Sequence, residues 1–245
     1  MPETRFSYLN HSGEKISGVI HTGMQPPSKA VIVCHGFGSN KDMSPWLRDM
    51  CNHLSREGMA GVRIDFSGHG DSEGRCEDIS YLKEAGDISS CIDYLEKNGY
   101  PSIGLIGHSM GASVCILTAS QDPRPKVLAI IAGVAYPSQE DHIAFAKAFF
   151  EKAFQKKIPS ESFILHLKQT DILSAVRKVH APLLLIHGDA DSMVPIAEGE
   201  AIFSAANEPK KMIIAIGSGH RLSQEPEFAA ECIELCVEWM KKHLK

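Results

Sequence analysis

The sequence predicts an α/β fold, a mostly parallel sheet flanked by helices, and three observations predict it. From about residue 29 onward, short runs rich in Leu and β-branched residues alternate with segments of helical periodicity. The runs are apolar on consecutive residues rather than on every second one, as strands covered by helices on both faces must be. Most of them end in Gly, Ser, His or Asp, the residue types that turn a chain or carry chemistry at a sheet edge.

Each element follows in order. RFSYLNHSGEKISGVIHT (5–22) alternates around Ser-Gly and predicts an antiparallel hairpin at the sheet edge. Six further strands are expected in AVIVCHG (30–36), GVRIDFS (61–67), IGLIGHS (103–109), VLAIIAGV (127–134), PLLLIHGD (182–189) and MIIAIGS (212–218). Helical periodicity fills the gaps at about 45–57, 78–98, 110–121, 171–179, 196–206 and 226–243, the last as an amphipathic helix docked on the sheet. One gap is too long for a simple crossover. Residues 136–170, with Phe145, Phe149, Phe150 and Phe154 at mixed helical spacing, read as an inserted helical cap over the C-terminal edge of the sheet. Open α/β sheets bind their ligands at that edge.

The 245 residues, 43% apolar and 22% charged, have the composition of an ordinary globular protein and predict one domain over 1–245. A net charge of −5 with no basic tract argues against nucleic acid or an anionic membrane as partner and favours a small molecule. The longest apolar stretches are too short to span a bilayer, and the N-terminal segment has no apolar run behind a basic start. Seven cysteines without C-x-x-C pairing suggest a reducing cytoplasm, and Cys232 and Cys236, four apart, read as one packed helix face. A homodimer is compatible with this composition but not indicated by it.

The strand ends carry the chemistry. Gly107-His108-Ser109-Met110-Gly111 lies between a strand and a helix, the context in which G-x-S-x-G presents an exposed hydroxyl on a sharp turn. Glycines two before and two after Ser109 remove Cβ atoms that such a turn would crowd. A serine needs a base, and the base a carboxylate to hold its tautomer. Asp189 and Asp191 follow PLLLIHG, and His220 follows MIIAIGSG. The choice between the aspartates is not forced; Asp191, further past the strand end, is preferred because its loop can reach a histidine. An oxyanion needs two donors, and the N–H groups of Phe37, in the Gly-rich bend His35-Gly36-Phe37-Gly38, and of Met110 are expected to supply them. His35, at a strand end, reads as a residue that shapes this bend rather than as a second base.

These segments together (HGFG, GHSMG, HGDADSMVP and GSGH, in this order along nearly the whole chain) resemble the α/β-hydrolase fold serine hydrolases. RIDFSGHGDSEG (63–74) is similar to a segment of bacterial carboxylesterases of the feruloyl/cinnamoyl esterase type. The resemblance implies an eight-stranded sheet and cofactor-free ester hydrolysis through an acyl-enzyme, with Ser109 as nucleophile, His220 as base and Asp191 as its orienting carboxylate. It implies a small ester substrate held by residues around the nucleophile and in the cap, for which His35, Gly36, His108, Tyr136, Gln139, Asp141, Phe145, Phe149 and Val194 are candidates. In those esterases polar and tyrosine side chains from the cap hold a phenolic ring, whereas the phenylalanines here suit a more lipophilic group equally well. The same three residues would serve a peptidase, an amidase, a thioesterase or a monoacylglycerol lipase-like enzyme, and a non-catalytic binding module can share the fold. Asp65, His69, Asp71 and Ser72 read as a tight loop bonding its own backbone. No HExxH, C-x-x-C or EF-hand pattern calls for a metal, and Lys41 stands where a dinucleotide fingerprint would need its third glycine.

Overall fold

A computed structural model describes residues 2–23, 27–154 and 161–245. The chain opens with the expected hairpin, β1 (Glu3–Leu9) against β2 (Lys15–His21), its turn closed by the Asn10 side chain accepting the N–H groups of Ser12 and Glu14. The next strands and helices are β3 (Lys29–Cys34), α1 (Pro45–Arg56), β4 (Ala60–Ile64), α2 (Tyr81–Lys97), β5 (Ser102–His108) and α3 (Met110–Gln121). They continue as β6 (Pro125–Ile131), α4 (Glu140–Phe154), α5 (Glu161–Gln169), α6 (Ile172–Val176), β7 (Leu183–Gly188), α7 (Ile196–Ala205), β8 (Lys210–Ala215) and α8 (Pro226–His243).

The strands form one eight-stranded sheet in the order β1-β2-β4-β3-β5-β6-β7-β8. β2 pairs antiparallel with β1 and β4, and every other neighbour is parallel. Side-chain alternation divides the core into two layers. Val31 and Val33 of β3 face α1 and α8, while Ile32 and Cys34 face α2 and α3. Cys232 and Cys236 are both buried in the α8 layer, on the packed face that their spacing predicts. No helix among the described residues is long and apolar enough to cross a membrane.

The boundaries differ from the sequence expectations where local chemistry ends an element. The strand expected over 61–67 stops at Ile64 because residues 65–72 turn sharply: the Asp71 N–H and the Ser72 hydroxyl both donate to Asp65. The strand expected to reach 134 stops at Ile131, since Ala132 adopts φ 50°. The helix expected from 78 starts at Tyr81, where the Ser80 hydroxyl caps it by accepting the Lys83 N–H. α6 is shorter than its predicted span and is capped by Asp171 in the same way.

The long insertion expected over 136–170 carries two helices, α4 and α5. Residues 155–160 of that span, and the side chain of Phe154, lie outside the described residues. The phenylalanine side chains of α4 and α5 pack on the loop after β3: the rings of Phe145, Phe149, Phe150 and Phe163 all lie within 6.3 Å of Phe37, centroid to centroid.

Candidate functional site

Ser109 occupies the turn between β5 and α3 with φ 56° and ψ −123°, a conformation that non-glycine residues adopt only when their surroundings hold them there. Its N–H donates to the Ile131 carbonyl at 2.9 Å, which ties the turn to β6. The flanking glycines are steric requirements. A Cβ on Gly107 would collide with the Gly111 carbonyl, and one on Gly111 with the carbonyl oxygen of His35.

The Ser109 hydroxyl lies 3.0 Å from His220 Nε2, and His220 Nδ1 lies 2.7 Å from Asp191 Oδ2. With Nδ1 donating to the carboxylate, Nε2 is left to accept the serine proton, so the arrangement can activate a hydroxyl nucleophile. The other carboxylate oxygen of Asp191 accepts the N–H groups of Met193 and Val194 at 2.9 and 2.8 Å. Burial works to raise the Asp191 pKa, but the hydrogen bond and charge of His220 and these two donors hold the carboxyl below its ordinary value. Of the two aspartates that the sequence leaves open, Asp191 meets the histidine. Asp189 instead accepts the Gly217 N–H at 2.6 Å, bracing the turn that leads from β8 to His220.

Met110 is the first residue of α3, and Phe37 lies in the bend after β3; neither N–H has a backbone or side-chain acceptor among the described residues. Gly36 brings this bend against Ser109, for a Cβ there would lie 3.2 Å from that of the serine. His35 is fixed beneath it: Nδ1 donates to the Gly36 carbonyl at 2.9 Å, and Nε2 accepts the Phe66 N–H at 3.2 Å. Burial, with the nearby His69, pushes the His35 pKa down to about 3, which keeps the ring neutral and consistent with that tautomer. Lys41 anchors the far end of the bend. Its buried ammonium lies 2.7 Å from the buried Asp65 carboxylate and 2.7 Å from Asp71.

His108 donates from Nε2 to the main-chain carbonyl of His220 at 2.9 Å, so it holds the histidine loop as well as lining the site. Burial, followed by the proximity of His220, pushes its pKa down to about 3.

Two cavities open on Ser109 and His220. The first, of 230 Å³, runs under α4 and α5 and includes Asp141, Phe145 and Val194 among the expected residues. The second, of 290 Å³, lies between the bend after β3 and the loop after His220; it includes His35, Gly36, His108 and Phe149 and shares Phe37 and Phe145 with the first. Tyr136 and Gln139, the other expected contacts, line neither. The Tyr136 N–H is bound to Glu198 and the residue is 38% exposed, while Gln139 sits exposed just before α4. The sequence reading missed Tyr81, His142 and Phe163 in the first cavity and Arg221 in the second. It also missed Glu198, a buried carboxylate that accepts the N–H groups of Ala135 and Tyr136 and pairs with His142 at 2.7 Å, fixing α4 to the core. His142 follows Asp141 directly, and Arg221 follows His220; adjacency was the available signal. Tyr81 had none.

Comparison with known proteins agrees with this architecture. The chain is 25% identical over 191 residues to the uncharacterized protein Rv2307c of Mycobacterium tuberculosis, covering 78% of this chain and 62% of that protein's length. Among solved structures, the alpha/beta hydrolase GrgF from Penicillium superposes with a TM-score of 0.85 at 18% identity, covering 100% of this chain and 99% of the other. Est1E from Butyrivibrio proteoclasticus, solved with ferulic acid bound, superposes with a TM-score of 0.76 at 21% identity, covering 96% and 99%. At these identities the structural likeness is one of fold. Residues 25–171 match the Hydrolase_4 family, described as serine aminopeptidase S33, and with its eight-stranded sheet the chain belongs to that family of α/β-hydrolases.

Proposed function

We propose that this protein is a serine carboxylic ester hydrolase that acts through an acyl-enzyme on small to medium esters. The observation that carries the reading is the unbroken hydrogen-bonded line from Ser109 through His220 to Asp191, set where two cavities meet. Ser109 Oγ attacks the ester carbonyl as His220 Nε2 takes its proton, and the N–H groups of Phe37 and Met110 receive the oxyanion. His220 then returns the proton to the departing alcohol. Water enters, gives a proton to His220, attacks the acyl carbon and restores the serine.

In this reading α4 and α5 act as a cap. The first cavity, walled by Met110, Val134, Phe145 and Phe163, suits an apolar acyl group, and its 230 Å³ is at the small end for ligand pockets. Est1E binds ferulic acid in its solved structure; here the phenylalanine walls accept an aromatic or an aliphatic acid, so a phenolic acid ester and a butanoate ester are both expected substrates. Ser109→Ala should lower kcat on p-nitrophenyl butyrate by roughly 10^4- to 10^6-fold with the fold intact by circular dichroism. Retention of most of that activity would overturn the assignment.

A further inference from the structure

The two cavities that meet at Ser109 carry opposite charge. In the first, the one charged lining group apart from histidine among the described residues is the carboxylate of Asp141. In the second, no described lining residue carries a carboxylate; the one charged group apart from histidine among them is the guanidinium of Arg221, accompanied by the side chains of Ser39, Ser44 and Ser223. Arg221 is exposed, lines this cavity and forms no ion pair or side-chain hydrogen bond with any described residue. A guanidinium beside hydroxyl groups, with no acid to neutralise it, is suited to a planar or tetrahedral oxyanion.

Chemistry decides which half of the ester occupies which cavity. When the Ser109 Oγ–acyl bond forms and the ester C–O bond breaks, the proton taken from Ser109 passes from His220 Nε2 to the leaving oxygen. That oxygen must therefore face the imidazole. The second cavity is walled by His220 and the three residues that follow it, and by His108, which holds the His220 carbonyl. His220 lines the first cavity as well, but there it is joined by Met110, Val134 and residues of α4 and α5 rather than by the segment that follows it. The alcohol half thus faces Arg221, and the acyl half lies along the apolar wall.

We infer that Arg221 selects esters whose alcohol half carries an anionic group, a carboxylate or a phosphate, while the acyl half is apolar and uncharged. This rests on the ester hydrolase reading above and goes beyond it in naming the chemistry of the leaving group. An acyl half with its own terminal carboxylate is disfavoured, because it would approach Asp141.

The test compares three butanoate esters: methyl 4-(butanoyloxy)benzoate, which is neutral, 4-(butanoyloxy)benzoate and 4-(butanoyloxy)phenyl phosphate. The anionic-to-neutral ratio of kcat/KM, compared between the natural protein and Arg221→Gln, cancels the intrinsic reactivity of each ester. The ratio should fall roughly 1.5- to 5-fold in R221Q, the range for an exposed charge pair. Arg221→Lys should keep part of it, and raising the salt concentration should erode the ratio in the natural protein without any substitution. A fall confined to the carboxylate ester or to the phosphate ester identifies which anion is read. An unchanged ratio in R221Q, or a ratio insensitive to salt, overturns the role of Arg221 while the neutral ester is still hydrolysed. Failure of the natural protein to hydrolyse any of the three overturns the ester hydrolase reading itself.

Discussion

Asp189 and Asp191 stand two residues apart, and their partners give them different work. Asp191 Oδ2 meets His220 at 2.7 Å, whereas Asp189 Oδ1 accepts a backbone N–H in the turn after β8. Asp191→Asn keeps the shape but removes the acceptor that fixes the imidazole tautomer, so kcat should fall roughly 10^3- to 10^4-fold. Asp189→Asn retains an amide oxygen for Gly217 and should cost less than about tenfold. Steady-state kinetics of the two variants on one ester distinguishes them, and equal losses would contradict this division. At this scale Ser109 and His220 were legible because their chemistry demands an order along the chain and a strand end for each. The aspartate was legible only to within two residues, because loop geometry and not sequence order selects it. Tyr81 and Glu198 were not legible: Tyr81 opens a helix more than 25 residues before Ser109 and only packing brings it to the first cavity, while Glu198 is a buried carboxylate in α7 that only packing brings to His142 of α4.

The element scale explains why Ser109 sits where it does. β5 ends at His108 and α3 begins at Met110, with Ser109 alone between them in a strained conformation. Gly111 lets α3 pass against the His35 carbonyl, and so keeps the Met110 N–H and the bend carrying Phe37 on either side of Ser109. Gly111→Ala should push α3 from β3, lowering stability by about 1–3 kcal/mol as overpacked sites do. It should reduce kcat more than KM, since the oxyanion donors move and the cavities stay. Urea unfolding and kinetics measure both; a stable variant of normal kcat would show that the close approach is not needed. The elements themselves were largely legible, because apolar runs and helical periodicity report burial directly. Their ends were less so. Ile64 ends β4 where Asp65 collects hydrogen bonds from Asp71 and Ser72 and pairs with Lys41, a long-range contact that no local pattern announces. The insertion carrying α4 and α5 is the least legible part. Its phenylalanines marked an apolar insertion, but their targets, Phe37 and the loop after β3, lie more than 100 residues away.

Across the whole molecule, buried histidines couple stability to pH. His35 binds a proton in the unfolded chain below about pH 6.5 and in the folded protein only near its depressed value of about 3. Between these limits the unfolded state holds more protons, so stability is full above about pH 6.5 and is lost as pH falls. The loss is about 1.4 kcal/mol per pH unit for a ring fully protonated in one state and neutral in the other. His108, pushed down to about 3, acts in the same direction. Glu84 acts oppositely: burial, with the charge of Asp87 added, raises its pKa well above normal, so its contribution is greatest at low pH and declines as pH rises. Unfolding free energy measured from pH 7 to pH 4 should therefore decline, and His35→Gln should flatten the decline by about one proton. An unchanged slope in H35Q would refute the assignment of a neutral ring.

The same fold that buries these groups holds Ser109 open to two cavities, within hydrogen-bond distance of His220. The most direct measurement of that arrangement is the intact mass of the protein after treatment with a fluorophosphonate, followed by peptide mapping. The account predicts one phosphonyl adduct, on Ser109, formed rapidly by the natural protein, slowly by His220→Ala and not at all by Ser109→Ala. An unlabelled natural protein, or an adduct on another residue that persists in Ser109→Ala, would contradict it.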